Sequence, residues 1–272
     1  MLRKKRSFAG KVALVTGAAG GLGRAMCHEL GQAGASLGLM DLDGEGLKRL
    51  GDELVAKGVP SISLAGDIGD NSYCNAAVRQ VVDYFGGLDV LVNNAGLTQR
   101  SAFADTEVAV FRQVMEVNFF GALYCTKAAL PELLERQGQI VVISSIAGFS
   151  PLYGRCGYSA SKHALHGLFD SLRSELFGTG VGVLIVCPGF IDTGFAHRAL
   201  GGDGECTTHP RSTVGAMTTA EEVAQTIVRA ARKNREMLVL SRVGHLTRFL
   251  TRVAPGTYQR LMARSLRHEL ER

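Results

Sequence analysis

No apolar run in this 272-residue chain reaches the roughly 18 residues a bilayer-spanning helix requires. There is no C-x-x-C pair. The six cysteines, Cys27, Cys74, Cys125, Cys156, Cys187 and Cys206, are scattered without a histidine at ligand spacing. That argues against a zinc site or any other metal centre, and against a disulfide framework, leaving small reduced side chains that are mostly buried. Repeats, low-complexity tracts and proline-rich linkers are also missing, so a single domain over residues 1–272 is the simplest organisation. Arg3-Lys4-Lys5-Arg6 has the charge of a signal-peptide start. The apolar stretch behind it breaks at once into Thr16-Gly17-Ala18-Ala19-Gly20-Gly21. No cleavable signal is expected, and the expected compartment is the cytoplasm.

What is present is an ordinary globular composition, 46% hydrophobic and 20% charged. The net charge of +5 is unevenly spread: residues 229–272 carry about +8, the stretch from Arg3 to Arg6 adds +4, and the middle sums to about −7. A nucleic-acid binder would carry its basic residues across a folded face with reading motifs, and none occurs, so nucleic acid is not an expected partner.

Short apolar runs bounded by glycine alternate with amphipathic stretches. Strands are expected at Val12–Thr16, Ser36–Met40, Ser61–Ala65, Val90–Asn93, Gln139–Ser144, Gly182–Cys187 and Met237–Leu240. Helices are expected near 22–33, 44–57, 71–85, 106–136, 158–178 and 219–233. The alternation predicts an α/β fold, a doubly wound parallel sheet of about seven strands covered on both faces.

The first strand runs into Gly17, Gly21, Leu22 and Gly23. Glycines there permit a tight turn and close backbone approach where a helix begins, a place that favours a pyrophosphate. Asp41 ends the second strand, where a carboxylate accepts hydrogen bonds from a ribose diol and repels a 2′-phosphate. Arg24 is the one residue of the turn arguing the other way, and the balance favours NAD, with NADP second. The third and fourth strands end in Gly66-Asp67-Ile68 and Asn93-Asn94-Ala95-Gly96, at the edge where open sheets bind ligands. Tyr158 and Lys162 stand one helical turn apart on one face. A free phenol, with a pKa of about 10, is a poor base near neutrality. A neighbouring cation favours the phenolate and makes tyrosine a usable proton acceptor or donor.

Taken in order and spacing over roughly residues 8–241, these motifs resemble the short-chain dehydrogenase/reductases. A lone Asn118, Ser144-Ser145 closing the fifth strand, and Pro188-Gly189-x-x-x-Thr193 extend the resemblance. It implies a Rossmann fold and hydride transfer between NAD(H) and a secondary alcohol or ketone. It implies Tyr158 as general acid/base, with Lys162 tuning it and holding the nicotinamide ribose. Ser145, thirteen residues before Tyr158, becomes the partner of the substrate oxygen, with Ser144 the competing choice. Asn118 holds a water linking Lys162 to solvent. Pro188, Gly189, Ile191 and Thr193 orient the carboxamide, and the assembly is a homodimer or homotetramer.

Residues 194–217 have no clear apolar period and read as a substrate lid. Phe149, Leu152, Tyr153, Phe190 and Phe195 are expected at the pocket border, which points to a bulky hydrophobic, steroid- or lipid-like substrate. His163, His166, His197 and His209 lack a partner at a convincing spacing and read as structural or exposed. Beyond Ser241 the family pattern stops. Residues 242–272 read as a basic tail of two amphipathic helices, with Leu246, Phe249, Leu250 and Val253 on one stripe and Tyr258, Leu261, Met262 and Ser265, joined by Leu266, on the other. The stripes either pack on the domain or a second subunit, or lie on an anionic membrane surface through 244–272. Two other functions stay open: a regulator that reads NAD as a signal, and a membrane-surface protein whose catalysis is incidental.

Overall fold

The computed structural model describes residues 5–209 and 217–270. The 210–216 part of the expected lid, Arg3 and Lys4 at the basic start, and residues 271–272 lie outside the described residues. Seven parallel strands form the central sheet: β1 (Val12–Thr16), β2 (Ser36–Asp41), β3 (Ser61–Ala65), β4 (Val90–Asn93), β5 (Gln139–Ile143), β6 (Gly182–Cys187) and, after a two-residue pair β7 (Ile191–Asp192) and β8 (Thr218–Thr219), β9 (Met237–Val239). The spatial order is β3-β2-β1-β4-β5-β6-β9. Strand order reverses between β1 and β4, and a crevice opens there beyond the carboxyl ends of the strands.

Pleating divides the apolar residues between two cores. Ala13, Val15, Leu37, Leu39, Val90, Val92, Val141 and Leu184 face one side. They pack there with α1 (Gly21–Gln32), α2 (Gly44–Ala56) and α7 (Ala220–Arg232). Val12, Leu14, Leu91, Ile140, Val142 and Ile185 face the other. That side is covered by α3 (Asn71–Phe85), α5 (Gly121–Glu135) and α6 (Cys156–Glu175). Burial on both faces is why these strands read as continuous apolar runs rather than alternating ones. At the amino edge Arg6 donates to the carbonyls of Gln137 and Gly180, each at 2.6 Å, so this part of the basic start braces two loops.

Two of the structure's departures from the sequence expectations bear on the site and the tail. The helix expected over 106–136 is broken: α4 (Val108–Met115) leads into one wide π turn at Glu116–Phe120, and α5 follows. Asn118 sits in that turn. The tail forms α8 (Arg242–Val253), α9 (Pro255–Leu266) and a short 3-10 turn at Arg267–Glu269. The residues it buries are not mainly those of the predicted stripe. Gly244, Thr247, Leu266 and Glu269 face the domain, and Leu250 is half-buried. Leu246, Phe249 and Val253 point outward and are 58%, 61% and 61% exposed. Among the described residues no helix is long and apolar enough to cross a membrane.

Candidate active site

The site is assembled at the carboxyl edge of the sheet. Thr16, the last residue of β1, is its hub: its hydroxyl donates to the Val92 carbonyl and accepts the backbone N–H groups of Asn94 and Ala95, both at 3.0 Å. Asn94 returns two bonds from Nδ2, to the Thr16 and Gly17 carbonyls. Gly17 has φ +65°, and a Cβ there would lie 2.8 Å from Ala95 Cα. A Cβ on Gly23 would lie 2.0 Å from the Gly17 carbonyl oxygen. These closures leave the start of α1 with no side-chain cap and no acidic residue in its first turn. Its N–H groups and positive dipole end therefore suit a pyrophosphate. Leu22 is buried beneath the turn.

Asp41 lies at the tip of β2, where one carboxylate oxygen accepts the Ala19 N–H at 2.9 Å and the other the Asp43 N–H at 3.0 Å. Arg24, the candidate for a 2′-phosphate, turns instead to α2, where one terminal nitrogen reaches both Glu53 carboxylate oxygens at 2.7 and 2.6 Å. Asp67 is exposed at the end of β3 and Ile68 is buried beside it. Asn118 reaches across from the π turn: Oδ1 accepts the Leu97 N–H at 2.7 Å, and Nδ2 donates to the Leu97 carbonyl and the Ser161 hydroxyl. It thereby ties the strand end at Gly96-Leu97 to α6. Such turns recur at functional positions because they redirect one stretch of helix.

Tyr158 and Lys162 lie on α6, as their spacing predicts, 9% and 4% exposed. Lys162 Nζ is 5.8 Å from the Tyr158 ring centroid and donates to the Ile143 carbonyl at 3.0 Å. Burial lowers the Lys162 pKa to about 8, so the group still carries its proton at neutral pH. The two serines separate clearly. Ser144 is buried with its hydroxyl 3.0 Å from His166 Nε2, while Ser145 caps the 3-10 turn Ile146–Gly148 and accepts the Ala147 N–H at 3.1 Å. A hydroxyl has one donor and two acceptor positions, so that cap leaves the Ser145 proton for another oxygen. Burial also lowers the His166 pKa to about 4, making it a neutral partner for Ser144.

The loop after β6 folds onto the glycine turn: a Cβ on Gly21 would meet Thr193 Cβ at 2.8 Å. Pro188 begins that loop, and Gly189, Phe190 and Ile191 line a cavity of about 160 Å³ with Leu240 and Ser241. Phe195 brings its ring to 6.4 Å from that of Tyr158. Phe149 instead stands edge-on to His166 and packs with the second core, so it is more core than pocket. Leu152 and Tyr153 are half-buried before α6, and the Tyr153 N–H points to Met262 Sδ of α9 at 3.0 Å.

The roles of Thr16 and Ser161 and one long-range contact escaped sequence reasoning. Thr16 reads as a strand former, and only its place before Gly17 hinted at its role as hub. Ser161 lies inside the Tyr158–Lys162 interval and could have been suspected. The His166–Ser144 contact joins residues 22 apart on different elements, and no local pattern signals it.

The family model for short chain dehydrogenases matches residues 11–201. The chain is 38% identical over 266 residues to Dehydrogenase/reductase SDR family member 7B of Xenopus tropicalis, covering 95% of this chain and 86% of that protein. It is 32% identical to Dehydrogenase/reductase SDR family protein 7-like of Drosophila melanogaster, covering 96% and 82% respectively. Among solved structures, a short chain dehydrogenase/reductase from Burkholderia phymatum in complex with NAD superposes with a TM-score of 0.83 at 26% identity, covering 93% of this chain and 96% of that one. An alcohol dehydrogenase from Thermococcus sibiricus complexed with 5-hydroxy-NADP gives 0.74 at 25% identity, over 85% and 95%. Sequence, fold and site geometry thus agree that this chain belongs to the short-chain dehydrogenase/reductase family of oxidoreductases.

Proposed function

We propose that the protein moves hydride between NAD(H) and a bulky hydrophobic secondary alcohol or ketone. The observation that carries this reading is the buried Lys162 ammonium beneath Tyr158, bonded to the Ile143 carbonyl and 3.6 Å from where a Cβ on Gly96 would lie. A cation held there favours the anionic form of the Tyr158 oxygen, which accepts the alcohol proton in oxidation and returns it in reduction. Ser145 donates to the same substrate oxygen, so two donors stabilise the charge that develops on it. Asn118 would hold a water linking Lys162 to solvent, its Oδ1 keeping one acceptor position besides the Leu97 N–H. No step requires a metal.

The residues fit a dinucleotide: a turn too tight for side chains, an uncapped helix start, and a carboxylate at the tip of β2. Bound there, the nicotinamide would accept or deliver the hydride. Gly17, Gly21, Leu22 and Gly23 would hold the pyrophosphate and Asp41 the adenosine ribose. Asp67 and Ile68 would flank the adenine, and Asn94, Ala95 and Gly96 the ribose side. Pro188, Gly189, Ile191 and Thr193 would orient the carboxamide. NAD is preferred because Asp41 opposes a 2′-phosphate while Arg24 is committed to Glu53. The two solved neighbours carry one cofactor of each kind.

The exposed row Leu246, Phe249 and Val253, with Leu261 on α9, supports a second reading for the tail. Arg242, Arg252, Arg260 and Arg264 are exposed on the same two helices. We assign this face to an anionic membrane surface, from which an apolar substrate could enter the crevice. A panel of secondary alcohols of increasing size, followed by NADH formation, tests the enzymatic reading. Turnover should favour large apolar substrates, and turnover of no alcohol or ketone would overturn it.

A further inference from the structure

The tail ends on the residues that lead into the catalytic helix. Glu269 is 2% exposed, and its Oε2 accepts from Arg155 Nη2 at 2.7 Å, with Arg155 itself 11% exposed. Arg155 is the residue immediately before α6, three before Tyr158, and its Nη1 donates to the Tyr153 carbonyl at 3.1 Å. The Tyr153 N–H meets Met262 Sδ. Between them Gly154, at φ +66°, gives up a side chain: a Cβ would come within 2.8 Å of Leu270 Cδ1. Three consecutive loop residues are thus held by three residues of the tail, 109 to 116 positions away in the chain.

Helix energetics alone do not explain this arrangement. A cation at a helix N-terminus stands at the unfavourable end of the dipole. A buried charge is tolerated only when paired, and the carboxylate that pairs Arg155 comes from the far end of the chain. The Gly154 carbonyl in turn accepts the Ser101 N–H at 3.0 Å, so the same loop is fastened to the segment after Gly96. The clamp sits between the expected substrate-side residues Leu152 and Tyr153 and the start of α6.

We propose that Glu269, acting through Arg155, is a positioning residue for the substrate-side loop 150–155, which makes the C-terminal segment part of the active site. This rests on the assignment of Tyr158 to proton transfer. The ion pair fixes the loop's distance from Tyr158, and its loss leaves the cofactor side intact.

The test uses the full-length chain with Glu269→Gln, Arg155→Gln, and the charge-reversed pair Arg155→Glu with Glu269→Arg. Each single variant should raise KM for the alcohol by about tenfold with kcat changed less than about threefold and NADH affinity within about twofold. The reversed pair should recover much of the KM. Hydrogen exchange of the Tyr153 and Arg155 amides should quicken in the single variants while that of the sheet stays unchanged. Should Glu269→Gln fail to fold, Leu270→Ala loosens the same contact without unpairing a charge and should quicken the same amides. Unchanged KM and unchanged exchange would overturn the proposal. So would a parallel loss of substrate affinity, NADH affinity and melting temperature, which marks a purely structural bridge. Should the wild type turn over no alcohol or ketone, the catalytic assignment fails, and the exchange experiment still decides whether the tail clamps the loop.

Discussion

Lys162 offers a prediction whose size follows from its burial. In the fold its pKa is about 8, and its ordinary value is 10.5, with burial the cause. Below pH 8 the folded and unfolded chains both hold the proton, and the cost of a buried ammonium is present in full. Between pH 8 and 10.5 the folded chain has shed a proton that the unfolded chain keeps, so stability rises with pH. Above 10.5 both are neutral and the cost is gone. By linkage the difference is about 3 kcal/mol, an order-of-magnitude figure. The perturbation is Lys162→Met, with both proteins carrying Tyr158→Phe so that the neighbouring phenolic hydroxyl drops out of the comparison. Methionine also removes the donor to the Ile143 carbonyl, but that loss does not depend on pH. The assay is urea unfolding of the cofactor-free proteins from pH 7.5 to 10.5 at matched slopes. Relative to the methionine variant, the lysine protein should gain about 3 kcal/mol across the window. A constant difference would refute the claim that Lys162 is held as a desolvated cation.

Three further outcomes are expected. Asp41→Asn keeps an acceptor for the Ala19 N–H but removes the charge, and should shift preference from NAD toward NADP by about tenfold or more in kcat/KM; a wild type already preferring NADP would reverse the cofactor assignment. Gly23→Ala drives a methyl to 2.0 Å from the Gly17 carbonyl, which cannot yield as a flexible side chain can. It should cost about 1–3 kcal/mol of stability and abolish NADH binding by fluorescence titration. The full chain should co-sediment with phosphatidylserine vesicles at low salt, be released at about 0.5 M salt, and lose binding with Leu246→Glu and Phe249→Glu. If the row instead covers a second subunit, those substitutions change the sedimentation coefficient and leave vesicles unbound throughout.

The sheet was legible because each strand buried on both faces is a glycine-bounded apolar run, and β1 and β6 fall where those runs lie. The glycine turn and the Tyr158–Lys162 pair were legible because their chemistry demands fixed local spacing. Long-range geometry was not. The π turn at Glu116–Phe120 lies within one apolar period and carries no glycine or proline before Gly121 to announce a break. The tail was expected to form two helices and does so as α8 and α9, but periodicity does not say which face meets the domain. Here the small Gly244 allows close approach to Val239 and Ile146, and the larger Leu246 and Phe249 remain outside. Arg155 and Glu269 are 114 residues apart, and each alone reads as a surface charge.

Tyr158→Phe removes one hydroxyl and keeps the ring that packs near Phe195, and so tests the proton transfer most directly. With NAD and the best secondary alcohol of the panel, the variant should turn over at least ~10²-fold more slowly, the amount general acid–base catalysis commonly contributes. NADH should bind as tightly as to the wild type, and the melting temperature should be unchanged. Turnover near the wild-type rate would contradict Tyr158 as the group that exchanges the substrate's proton.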